Sequence, residues 1–147
     1  MPPRDEHVIE VLRDGGVHEA TVSWWYGDAQ WTVRLESRGI RAFEPVENRA
    51  DDAFEALCLV RDQLESLGWR LGIAGAQIDV WPSGMARDQG GGLRAYRMTE
   101  DRVEGMVDTF APVDPASVVT VDEQRAEADR LYAEIQRRGA DGRSAAG

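Results

Sequence analysis

The segment W-P-S-G-M-A-R-D-Q-G-G-G-L-R-A-Y, residues 81–96, gathers more groups suited to holding a ligand than any other stretch of the chain. Gly90, Gly91 and Gly92 leave the backbone free to take positive φ, and their successive N–H groups can converge into an anion-binding nest. Arg87 and Arg94 flank them and are suited to a bidentate clamp on a phosphate or carboxylate. Charge singles out the same region: residues 69–99 carry net +2, against −7 for residues 1–68 and −5 for residues 100–147. One reading is an anion site in a small-ligand or hydrolase-type protein. The other is a long connection held by internal Arg–Asp pairs, with Ser83 and Asp88 capping its turns.

Other reactive side chains point to structure rather than catalysis. Nucleophile, oxyanion and zinc motifs such as G-x-S-x-G and H-E-x-x-H are absent, so no catalytic residue is assigned. All 17 basic residues are arginine, which rules out a Walker A lysine, a Schiff-base lysine and a lysine general base. The two histidines, His7 and His18, fall too far apart along the expected hairpin to share a metal, and read as partly buried sheet residues. Cys58 lies between Leu57 and Leu59 on an amphipathic stretch and reads as a small core residue. Asp51 and Asp52 read as helix-start residues. Asp79 and Asp88 flank the glycine segment and leave a carboxylate pair open.

Composition narrows the partners. The chain has 147 residues, 42% of them hydrophobic, enough for one domain with a real core. No run reaches the roughly 18 apolar residues of a membrane span. The opening M-P-P-R-D-E-H-V has no apolar leader region, so cytoplasmic residence is the expectation. Net charge of −10 disfavours nucleic acid, which needs a basic face; it is compatible with a basic protein partner and equally with simple solubility, which needs no partner. No metal and no cofactor is implied.

These groups need a scaffold, and the alternation of residues 7–44 supplies one. A turn at Asp14-Gly15 pairs Val11 with His18 and Ile9 with Ala20. A second turn, placed at Gly27-Asp28 because glycine suits the first position of a type II′ hairpin, pairs Trp24 with Trp31 and Val22 with Val33. Val22, Trp24, Tyr26, Trp31, Val33 and Leu35 then share an apolar face. Trp25 points to the wet face beside Thr32 and Arg34, where an exposed indole would serve as an interface anchor. A further strand is expected near Ile40–Glu44.

Residues 49–67 carry a helical stripe of Phe54, Leu57, Cys58, Leu64 and Leu67, with Val60 and Arg61 at its margins and Asn48 as N-cap. Strands follow around 69–74, 77–81, 93–98 and within 103–110. Thr120-Val121-Asp122-Glu123 is a capping box opening a C-terminal helix to about Arg138. The expectation is a single α+β domain over residues 1–138: a mainly antiparallel sheet formed by an N-terminal meander and further strands after a central helix, then a C-terminal helix. Residues 139–147 read as a disordered tail.

The string P-S-G-M-A-R-D-Q-G-G-G-L-R-A-Y resembles a loop of small, mostly uncharacterised bacterial proteins that carry variants of P-S-G-M-x-R-D-x-G-x-G-x-x-A-Y after a Val-Trp or Val-Tyr strand. The match spans Val80–Tyr96, about a tenth of the chain. Some such small acidic α+β proteins are similar to immunity proteins encoded beside polymorphic toxins. The resemblance implies a non-enzymatic acidic protein that masks a basic toxin domain. Read from the residues themselves rather than from the resemblance, the candidate contacts for a partner or ligand are Trp25 on the sheet and Ser83, Arg87, Asp88, Gly90, Gly91, Gly92 and Arg94 in the glycine segment.

Overall fold

A computed structural model of the protein describes residues 4–99 and 102–146. Three strands, β1 (Asp5–Arg13), β2 (Gly16–Gly27) and β3 (Gln30–Ser37), form the N-terminal meander. β4 (Val46–Ala50) extends it on one side and the short β5 (Arg70–Leu71) on the other, giving an antiparallel sheet ordered β4-β3-β2-β1-β5. β6 (Val80–Trp81), β7 (Arg94–Met98) and β8 (Val103–Asp108) make a second antiparallel sheet. The helices are α1 (Ala53–Glu65), α2 (Gly84–Gly90) and α3 (Val121–Ala146). The fold is α+β with mainly antiparallel sheet. No helix among the described residues is long and apolar enough to cross a membrane.

The first hairpin has the register the turn chemistry predicts, with Ile9 opposite Ala20 and Val11 opposite His18. Asp14 and Gly15 both take positive φ, at 51° and 77°. The second hairpin differs. Its turn residues are Asp28 and Ala29, both at positive φ, and Trp24 pairs with Val33 while Trp31 pairs with Tyr26. Trp24 and Trp31 are therefore not directly opposite. The slip is by two positions, so each side chain keeps its face. Ile9, Val11, Ala20, Val22, Trp24, Val33 and Leu35 are all buried on the inner face, and Trp25 sits on the outer face opposite Thr32.

Residues 46–50 pair with β3 instead of starting the helix. Val46, Asn48 and Ala50 sit opposite Leu35, Val33 and Trp31, and this pairing overrides the weak helical signal of V-E-N-R-A. The N-cap is Asp52, not Asn48: its carboxylate accepts the Glu55 N–H at 2.8 Å. The strand expected at Ile40–Glu44 does not form, and Ile40 is 90% exposed. At the far end α1 stops before Leu67, which is 62% exposed. The two histidines are exposed rather than partly buried, each with its ring against a tryptophan, His7 on Trp24 and His18 on Trp69.

α1 is buried on two faces. Ala53, Ala56, Leu57, Val60 and Leu64 pack on the five-stranded sheet. Phe54 and Cys58 pack on Val80, Ala95 and Val121, against the second sheet and the start of α3. Arg61 follows on that second face and is fully buried. Its guanidinium donates to Glu65 Oε2 at 2.9 Å, Gln124 Oε1 at 2.5 Å and the Val119 carbonyl at 2.7 Å. Glu65 Oε1 in turn accepts the Val121 N–H at 2.8 Å, so one ion pair joins α1 to the start of α3.

The capping box is present: Thr120 Oγ1 accepts the Glu123 N–H, and Thr120 N–H reaches back to Glu123 Oε1. Ala128 and Leu131 bury α3 against Met98. The backbone of α3 runs on through Ala146, past the end expected near Arg138, and Gly147 lies outside the described residues.

Three stability effects follow. Ala29→Gly relieves a Cβ-bearing residue held at φ 64°, and a gain of roughly 0.5–1 kcal/mol in urea unfolding is expected. Arg61→Ala strands the Glu65 carboxylate in a dry site, and a loss of about 3–5 kcal/mol is expected. Leu57→Ala, at a fully buried apolar position, is expected to cost about 2–5 kcal/mol.

Candidate functional site

The glycine segment is an ordered clasp. Ser83 ends an extended approach and its Oγ accepts the Ala86 N–H at 3.0 Å, which starts α2. Residues 84–90, expected as loop, close into this short helix, and Gly91 at φ 64° caps it. The N–H groups of Gly91 and Gly92 both turn onto the Ala86 carbonyl, and the Gly91 carbonyl accepts the Ala53 N–H at 2.7 Å. The Gly92 carbonyl accepts the hydroxyl of the buried Thr109 at 2.7 Å. Two of the three N–H groups that could have formed a nest are thus used inside the protein.

The glycines are also required by closeness. A Cβ on Gly91 would lie 2.8 Å from the Trp31 ring, and one on Gly92 would lie 2.7 Å from the Phe54 amide nitrogen and 2.8 Å from Asp52 Oδ1. Gly90 has open space around it.

Arg87 and Arg94 have separate partners. Arg87 lies 3.2 Å from Asp52 Oδ2 and 3.5 Å from Glu55 Oε2, with its guanidinium beside the rings of Phe54 and Trp81. It ties α2 to the N-terminus of α1. Arg94 is exposed and its Nε lies 3.4 Å from Asp108 Oδ1 on the neighbouring strand. Arg97 is held by both oxygens of Asp79, at 2.8 and 2.9 Å. The net positive charge of residues 69–99 is therefore met in space by acids from both inside and outside that window.

The open part of the clasp is a cleft of about 390 Å³ lined by Tyr26, Trp31, Asp51, Arg87, Asp88 and the backbone of Gly90–Gly91. Tyr26 is 55% exposed, and its ring lies 5.5 Å from that of Trp31. Asp51 and Asp88 are both exposed, and neither carboxylate has a partner among the described residues. Arg87, Asp88, Gly90 and Gly91 thus come together, while Ser83, Gly92 and Arg94 lie outside the cleft lining. Trp25 is apart from them on the other face of the sheet, half-buried, with the Arg4 guanidinium 4.1 Å above its ring.

Sequence patterning places Tyr26 and Trp31 in the core because they share the parity of Val22 and Val33. Both flank the hairpin turn: Tyr26 is exposed there, and Trp31 is half-buried, packed against the edge of the core. The helix start at Asp52 rather than residue 49 is what brings Asp51 to the same rim.

Nucleophilic chemistry has little support. Burial pushes the Cys58 thiol up to about 12, so it is protonated and inert at neutral pH. No cluster of three or more His, Cys, Asp or Glu able to hold a metal occurs among the described residues. No family model matches the chain, and no curated protein matches it in sequence.

The clasp predicts a contrast between neighbouring glycines. Gly92→Ala, strained and without space, is expected to lower stability by more than about 1 kcal/mol. Gly90→Ala, at the end of a helix with open space, is expected to be neutral or to stabilise by up to about 1 kcal/mol. Thermal unfolding of the two variants checks this. Cys58 provides a second check. Iodoacetamide at pH 8 is expected to leave the native thiol unmodified and to label it in denaturant. Because the folded thiol ionises at higher pH than the unfolded one, its contribution to stability is present below pH 9 and is lost as pH rises toward about 12.

Proposed function

We propose that this is a non-enzymatic binding protein whose acidic surface holds a basic protein partner, of the immunity type in which the partner is a toxin domain. The observation that carries this reading is where the charges lie. Arg61, Arg87 and Arg97 are bonded to acids or carbonyls within the fold. Arg4, Arg13 and Arg125 lie over tryptophan rings. Carboxylates without such partners stay outside.

The outer face of the five-stranded sheet shows the pattern sharply. Glu10 and Glu19 are directly opposite each other across β1 and β2, both exposed. They line a cleft of about 370 Å³ together with Val8, Pro112, Val113 and Asp114. Like charges directly opposite weaken a sheet, and a cation brought by a partner relieves them. Net charge of −10 gives the same surface a long-range field that accelerates encounter with a basic protein.

The second reading, an anion site for a small ligand at the Arg87–Arg94 loop, has less support. Arg87 is already bonded to Asp52 and Glu55, and the open cleft beside it carries Asp51 and Asp88. An anion entering there meets more negative charge than positive.

The test begins with the product of the reading frame adjacent to this gene. Its association is expected to slow markedly between low and high salt while dissociation changes little. Glu10→Gln combined with Glu19→Gln is expected to slow association further and to leave the fold at least as stable, with a gain of about 0.2–1 kcal/mol. An association rate indifferent to salt and to both substitutions removes the acidic surface from the account.

A further inference from the structure

The geometry points to the cleft between Tyr26, Trp31, Asp51 and Asp88 as the seat for an arginine side chain of the protein partner. This inference rests on the acidic-binding reading above and names the group recognised at one place on the surface.

Two features converge on a planar organic cation. The first is charge. The cleft is lined by two carboxylates, Asp51 and Asp88, and one guanidinium, Arg87, whose charge is already met from behind by Asp52 and Glu55. The second is the aromatic wall. Tyr26 and Trp31 lie 5.5 Å apart with planes tilted by 58°, and Tyr26 is largely open to solvent. Aromatic faces attract cations, and arginine combines that attraction with stacking of its flat guanidinium.

The protein already uses this arrangement internally. The Arg87 guanidinium is 5.3 Å from the Phe54 ring centroid and 5.5 Å from that of Trp81 while it bonds Asp52. Parts of the same kind, two rings and a carboxylate, line the open side of the clasp. The cleft volume of about 390 Å³ falls in the range of small-ligand clefts. Guanidinium is favoured over ammonium because two carboxylates and a flat ring face match its fork and plane, whereas an ammonium presents a compact, strongly hydrated point charge.

The probe is Nα-acetyl-arginine amide, titrated into the full chain while the indole N–H resonance of Trp31 is followed by NMR. Nα-acetyl-citrulline amide, nearly the same shape without the charge, is the control, and Nα-acetyl-lysine amide tests the choice of cation. A saturable shift of Trp31 with the arginine probe is expected, with a dissociation constant on the order of millimolar. The citrulline probe is expected to leave Trp31 unmoved and the lysine probe to bind several-fold more weakly. Asp51→Asn with Asp88→Asn is expected to weaken the arginine probe at least tenfold. Tyr26→Leu, at an exposed position, is expected to weaken it by a smaller factor, and circular dichroism checks that the fold of each variant is retained.

Equal shifts with arginine and citrulline, or an affinity unchanged by the double substitution, overturn the assignment. If the arginine probe leaves Trp31 unmoved while the adjacent-frame product still associates in a salt-dependent way, this cleft is not the seat and the acidic-binding reading stands. If that association is also indifferent to salt and to the Glu10 and Glu19 substitutions, both readings fall.

Discussion

A guanidinium with no access to water sits where the two sheets and α3 meet, and it can be there only if its charge and its donors are met. Arg61 uses Glu65 for charge, and Gln124 and the Val119 carbonyl for its remaining N–H groups. Gln124, equally buried, directs its amide to the carbonyls of Gly75, Gln77 and Val80. The carbonyls of Gly75 and Gln77 belong to the irregular connection between β5 and β6, and that of Val80 to the first residue of β6. Without Arg61 and Gln124 their burial would cost the desolvation of each unmet group. The buried polar network thus allows an irregular segment to run through the interior, and α1 can then be covered on both sides. Burial raises the tendency of Glu65 to hold a proton, while Arg61 and the Val121 N–H oppose that.

The parts of the fold legible in the sequence are those decided within a few residues. Alternation over residues 7–36 fixes which side chains are inside, because the period of a strand is two whatever the turn. Asp14-Gly15 fixes its own hairpin. Gly27 misleads, since choosing the turn by glycine preference neglects what Trp31 gains beyond the hairpin. In the observed register Trp31 stands at the sheet's end against Tyr26 and takes the Gly91 backbone on its indole. Contacts with a segment so far along the chain outweigh the strain at Ala29.

α1 shows the same limit in another form. Read for one apolar stripe, Phe54 and Leu57 merge, and Val60 and Arg61 become margins. In the fold they are two stripes, residues 53, 56, 57, 60 and 64 toward one sheet and residues 54, 58 and 61 toward the other. A helix apolar on both sides, with an arginine on one of them, is the mark of a second layer. Charge counted in windows fails for the same reason. The surplus of residues 69–99 is cancelled by Asp52, Glu55 and Asp108 from elsewhere, so the sign at the clasp is the reverse of the sign in the string.

The glycine string itself is explained residue by residue by the clasp. Ser83 starts α2, Arg87 ties it to α1, Gly91 makes room for Trp31, Gly92 makes room for Phe54 and Asp52, and Ala95 is buried under the same ring cluster. Each needs its residue type for a contact inside the protein, whether or not anything binds outside. The residue types of Val80–Tyr96 therefore speak first for the way this chain fastens its two sheets. Residues that could choose a partner are the ones the clasp leaves unconstrained: Tyr26, Asp51 and Asp88 at the cleft, and Glu10 and Glu19 on the outer face. Two of these groups are supplied by the hairpin and the helix start, far from the string in sequence. That separation lets the scaffold stay fixed while these surface residues change.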